Sequence, residues 1–250
     1  MPLFNFALRP LADIQPWRSS QGLHLSWFGL SDGWFWLALG GQEILRSDGE
    51  PTEGELPFLD HHVAQLWEDL LAILPSVLAP VPDDIAQKMA QPREWNATVE
   101  RVRALDEEPA RLAAALGFFG ERQLDNHYVV AAPRVHFWRH GETIHASWST
   151  PPNDVSWTHV EGHAAMPFAN FLLELRAFDA AFLTLMKERV AAVVAHRGLP
   201  DGEAHVRIDF ARLEVEQVER GVWLDAALER AAPPVDWAEV RWMLSRGLAQ

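Results

Sequence analysis

Along this chain, stretches in which apolar residues recur at every second position alternate with stretches in which they recur at every third or fourth. Residues 3–46 carry the first pattern. "HLSWFGL" and "WFWLALGG" flank Ser31-Asp32-Gly33, where a left-handed glycine can close a hairpin. In the second arm Trp34, Trp36 and Ala38 point one way and Phe35, Leu37 and Leu39 the other, so the strand is expected to be central and covered on both faces. The helical period takes over after Asp60, a candidate N-cap. Val63, Leu66, Trp67, Leu70, Leu71 and Leu74 then form one stripe to about Leu78, with Pro75 bending or ending the helix.

Residues 79–125 are polar and proline-punctuated, a possible irregular helical insertion in which "PVPDDIAQ" and "EPARLAAALGFF" suggest short helices. Strand character returns in "HYVVAAP", "VHFWRH" and "TIHASWS". A long helix is expected from about Pro167 to His196, with Phe168, Phe171, Leu172, Leu175, Phe178, Phe182, Leu185 and Met186 on its core side. Asp209 can cap a helix to about Ala231, and Asp236 a last one to Arg246. Strands, helices, strands, helices is the order of an α+β fold: one domain over residues 1–250, in which N-terminal and central hairpins build an antiparallel sheet packed by the long helices.

Composition narrows the chemistry. At 250 residues and 48% hydrophobic the chain can bury a large core, and its 12 Trp and 13 Phe against a single Tyr supply bulk for it. Without cysteine there is no disulfide, thiolate nucleophile or thiolate metal site, which fits a reducing cytoplasm. The first residues lack the basic start of a signal peptide, and no apolar run reaches the ~18 residues of a membrane helix, so no membrane partner is expected. A net charge of −14 disfavours nucleic acid and favours a basic protein partner.

Arg139-His140-Gly141-Glu142-Thr143 resembles the nucleophilic histidine loop of the histidine phosphatase superfamily. That loop needs a helix after it and further catalytic histidines and arginines. Here "IHASWSTPPND" follows, a strand-like run ending in two prolines. A hairpin turn centred on His140-Gly141 accounts for the stretch instead. It pairs Arg139 with Glu142, Phe137 with Ile144 and Val135 with Ala146 on an apolar face, and puts His136, Trp138, Thr143, His145 and Ser147 on a wetter one. On this register His136 lies opposite His145.

"LRPLADIQPW", "LSWFGLSDGWFWL", "VAQLWEDLLAILPSVLAPVPDD", "VAAPRVHFWRHGETIHASW" and "FLLELRAFDAAFLTLMKERV", in that order, resemble a bacterial family of unknown function over nearly the whole chain. The resemblance implies no catalytic residues. Its turn after "FWR" usually lacks histidine, which argues against His140 as a nucleophile.

His136, His145 and His159 could together hold a metal such as zinc, with Asp154 and His163 nearby, although no helical His-x-x-x-His spacing supports them. His61-His62 beside Asp60 project about 100° apart on a helix and cannot easily share an ion. Neither a Gly-x-Ser-x-Gly elbow nor a nucleotide-binding glycine loop is present, and no cofactor is implied.

The function class this leaves first is a cytoplasmic binding or neutralising protein, like an immunity protein, acting on a basic protein partner. Its expected contact face combines Trp138, His136 and His145 with Asp32 and Trp34. The alternatives are a metal-dependent hydrolase on the histidine-rich face and a small-molecule sensor with an aromatic pocket.

Overall fold

The computed structural model describes residues 1–20, 22–104, 117–124, 132–151, 156–200 and 206–248. The fold is α+β, with antiparallel sheets and several helices. The strands are β1 (Phe4–Leu8), β2 (Trp17–Ser19), β3 (Gly22–Leu25), β4 (Gly33–Leu39), β5 (Gln42–Ile44), β6 (Leu59–Asp60), β7 (Arg134–His140), β8 (Thr143–Ser149), β9 (Glu161–Pro167) and β10 (Arg207–Ile208). The helices are α1 (Val63–Leu78), α2 (Asp83–Met89), α3 (Pro92–Arg103), α4 (Phe168–His196), α5 (Phe210–Arg220), α6 (Trp223–Glu229) and α7 (Trp237–Leu248).

The hairpins do not share one sheet. β1, β4, β5 and β6 form the first, β10, β3 and β2 the second, and β7, β8 and β9 the third. Ser31-Asp32-Gly33 is not a hairpin turn either. The chain tightens into a 3-10 turn at Gly29–Ser31 whose residues are all buried, and it leaves β3 in one sheet to enter β4 in another. Burial of Trp27 and Leu30, both fully enclosed, outweighs the local turn signal. The true hairpin joins β4 to β5 through Gly40-Gly41, whose φ of 58° and 82° give the two left-handed positions of a type I′ turn.

β4 is central, between β1 on one side and β5 and β6 on the other. Phe35, Leu37 and Leu39 face the main core, where α1 and α4 bury their stripes, and side chains pack over the rings of the opposite face. There Arg9 lies 4.3 Å over Trp34 and Phe58 stacks on Trp36 at 3.9 Å. Phe4, tilted against Phe137 at 6.4 Å, ties the first sheet to the third.

The long helix runs from Phe168 to His196, and Phe171, Leu175, Phe178, Phe182 and Met186 are buried along it, but Leu185 is 41% exposed. Asp209 caps α5 by accepting from Arg212 N at 3.0 Å, and Asp236 accepts from Ala238 N and Glu239 N at the start of α7. The helix expected to reach Ala231 stops at Arg220 and restarts at Trp223. α1 begins at Val63, and Ser31 Oγ, not Asp60, accepts from Ala64 N at 3.1 Å in its first turn. Asp60 is a strand residue.

Within the 79–125 segment the described residues include two helices, α2 and α3. α2 and α3 join α7 over a second core of Ile85, Met89, Trp95, Val99, Phe118, Phe119, Val240, Met243 and Leu244. Most of "EPARLAAALGFF" and "HYVVAAP", and Asp154 with them, lie outside the described residues.

Candidate functional site

The third sheet shows why the central hairpin has two unlike faces. Its turn is centred one residue later than the apolar pattern suggests, on Gly141-Glu142. Gly141 has φ 57° and Glu142 keeps a negative φ, the positive-first pattern of a type II′ turn. The division of residues between faces survives, because the paired residues slide together, but the partners change. His136 faces Ser147, Trp138 faces His145, and Arg139 faces Ile144. Val135, Phe137, Ile144, Ala146 and Trp148 enter the main core.

The face expected to be wet is covered by α2, α3 and α7. Trp138 is 0% exposed in the second core and His136 is 1% exposed, so neither offers surface to a partner in this fold. Half-buried His145 stacks on Trp138 at 5.4 Å, and its Nδ1 lies 3.1 Å from His163 Nε2, an imidazole pair that the sequence reading did not join. Burial lowers the pKa of both rings, with the neighbouring histidines adding to the effect at His145.

His136, His145 and His159 are not brought together as ligands: His136 sits across from Ser147 and His159 precedes β9. Among the described residues no group of three or more His, Cys, Asp or Glu is placed to hold a metal ion. His140, at the hairpin end, meets Asp83 at 2.8 Å and has no helix after it, unlike a phosphatase histidine.

Asp32 and Trp34 lie elsewhere, on the outer side of the first sheet, where a charge cluster is built around Arg9. Arg9 leaves β1 and its guanidinium spreads over the Trp34 ring. Its Nη1 donates to Glu55 at 2.8 Å, its Nη2 to Asp60 at 2.9 Å, and its Nε faces Asp32 at 3.3 Å. Trp34 Nε1 donates to Glu55 at 3.2 Å. Trp34 itself is buried, 4% exposed, so it is the floor of the cluster and not its anchor.

Three carboxylates therefore share one guanidinium. Arg189, the next cation, donates to the carbonyls of Leu30 and Arg9 and reaches Asp32 only through space. Hydrogen bonds from Arg9 hold Glu55 below the usual carboxylate range, whereas burial pushes Asp32 and Asp60 above it despite Arg9. Asp60 keeps half its side chain, 52%, in solvent.

Beside this cluster lies an aromatic patch. Trp17, 46% exposed, meets His24, Phe28 and His62 edge to face at 6.2, 6.2 and 5.5 Å, and Phe28 stacks on His62 at 4.8 Å. Burial first, then the adjacent His61, takes His62 down to about 4. A ring that binds fewer protons folded than unfolded holds its full stability above the unfolded value near 6.5 and loses it as pH falls toward 4. His62→Gln is thus expected to reduce the fall in unfolding free energy between pH 7 and 5, measured by urea titration at each pH. An unchanged slope would show that His62 does not supply it.

A cavity of about 670 Å³ opens where α3 meets the ends of β8 and β9. Its lining includes the Arg93–Glu161 and Arg134–Glu100 ion pairs but no aromatic ring, unlike the pocket expected of an aromatic sensor. No helix of the described residues is long and apolar enough to cross a membrane.

The molecule is thus an α+β protein with an arginine-centred carboxylate cluster edged by tryptophan, and among the described residues no group of three or more His, Cys, Asp or Glu is placed to hold a metal ion. It belongs to DUF5984, a family of unknown function whose profile matches residues 3–243. No curated protein and no solved structure matches the chain.

Proposed function

We propose that this chain is a binding protein that neutralises a basic protein partner in the bacterial cytoplasm, in the manner of an immunity protein, through the surface around Arg9. The observation that carries this reading is the charge deficit of the cluster: Asp32, Glu55 and Asp60 converge on the single guanidinium of Arg9. A carboxylate that is partly desolvated and only partly compensated gains when another cation arrives. The net charge of −14 extends the same attraction over longer range.

This predicts binding steered by charge. With a partner purified from the native host, Glu55→Gln combined with Asp60→Asn is expected to slow association up to about tenfold at low ionic strength, a modest share of the 10- to 1,000-fold that steering can supply. The slope of the rate against salt should flatten as well. Stopped-flow or surface-based kinetics at two salt concentrations reads both quantities. Association that ignores salt and the double substitution would refute the reading.

A further inference from the structure

Trp17 stands at the start of β2 in the second sheet, cross-strand from His24. Its neighbours His24, Phe28 and His62 fix the ring before any partner arrives, so little side-chain freedom is lost on contact. Among the described residues no guanidinium lies over it, and Arg18, the next residue of the strand, points to the opposite face. Asp60, carrying the exposed edge of the carboxylate cluster, adjoins the same patch through His61 and His62, whose rings are 5.2 Å apart.

The chain already uses this combination internally. Arg9 lies over Trp34 while its fork grips Glu55 at 2.8 and 3.2 Å, and Arg220 sits 4.1 Å over Trp27 and 4.8 Å over Trp223. A guanidinium suits such a place because it is planar, weakly hydrated and able to stack on an indole while its edge meets a carboxylate; an ammonium does only the second.

We infer that Trp17, with Asp60 on its rim, is an anchor for an arginine side chain of the partner. The inference rests on the proposed binding of a basic partner and adds which cation is read and which ring reads it.

The test uses the whole chain and two labelled peptides of equal length and charge, one built on arginine and one on lysine, with Kd read by fluorescence anisotropy at low and physiological salt. The arginine peptide should bind roughly three- to tenfold tighter than the lysine peptide, as guanidinium stacking on an indole allows. Trp17→Ala should remove that preference and Trp17→Phe should keep part of it. Near-UV circular dichroism shows whether each variant stays folded, and Asp60→Asn, which leaves the indole in place, should weaken both peptides. Equal affinity for the two peptides, or an arginine preference untouched in folded Trp17→Ala and Trp17→Phe, overturns the arginine anchor while salt-sensitive binding of both peptides leaves the basic-partner reading standing. Failure of both peptides to bind overturns the two together.

Discussion

Trp138→Ala is expected to destabilise the protein by about 3–5 kcal/mol, the usual cost of deleting a fully enclosed aromatic side chain. Trp138 is 0% exposed, packs among the side chains of α2, α3 and α7, and carries His145 and His163 against its ring. Removing the indole opens a cavity between the third sheet and the three helices that cover it, where Trp138 is the large apolar sheet residue among the described residues of that core. Trp138→Phe should cost much less. The ring volume is largely kept, and the indole N–H, buried without a hydrogen-bond partner, is removed. Urea unfolding of the two variants checks the order. If Trp138 were instead a surface anchor, alanine would change stability by under about 0.5 kcal/mol.

The second large effect is expected from Gly33→Ala. A Cβ at this position would stand 2.2 Å from the carbonyl oxygen of Ala7 and 2.9 Å from the Cα of Leu8, both backbone atoms of the strand paired with β4. No rotamer change relieves such a clash. The β1–β4 ladder must part at the end that carries Arg9 and Asp32, so the loss should reach or exceed the upper end of the roughly 1–3 kcal/mol typical of overpacking. The carboxylate cluster should loosen along with it. Gly41→Ala is a useful contrast, since nothing lies within 4 Å of its Cβ and only the left-handed φ of 82° opposes the change. A thermal unfolding series should therefore rank Gly33→Ala well below Gly41→Ala, and equal melting temperatures would contradict the close approach.

What was legible in the sequence, and what was not, follows from the range of the interactions. The stripes of α1 and α4 and the caps Asp209 and Asp236 are local patterns, and the structure places them within a residue or two of where the periodicity does. The faces of the central hairpin were legible as well, since side-chain alternation does not depend on where the turn is centred. Its register was not. One residue of slip separates His140-Gly141 from Gly141-Glu142, and the glycine at the first central position decides between them.

Which face would be covered was beyond local reasoning, because Trp138 is enclosed by helices that begin at residue 83 on one side and residue 237 on the other. The same holds for the carboxylate cluster. Arg9 and Asp60 are 51 positions apart, and no spacing rule joins them. Asp60 had the appearance of a helix cap, and its place at the end of the short strand β6 lets it meet Arg9. The sequence offered Asp32 and Trp34 as contact residues and set Asp60, His61 and His62 side by side, but nothing in it joined any of them to Arg9.

The surface around Arg9 and Trp17 is the proposed site for a basic partner. Hydrogen–deuterium exchange of the whole chain, alone and with a partner captured from the native host and purified, tests it most directly. A basic partner is expected, with slowed exchange confined to residues 9–19 and 55–62, which carry Arg9, Trp17, Glu55 and Asp60. Protection confined instead to residues 215–223, where Val215 and Val218 stand exposed on α5 and Val222 just before α6, or a captured partner without net positive charge, would contradict it.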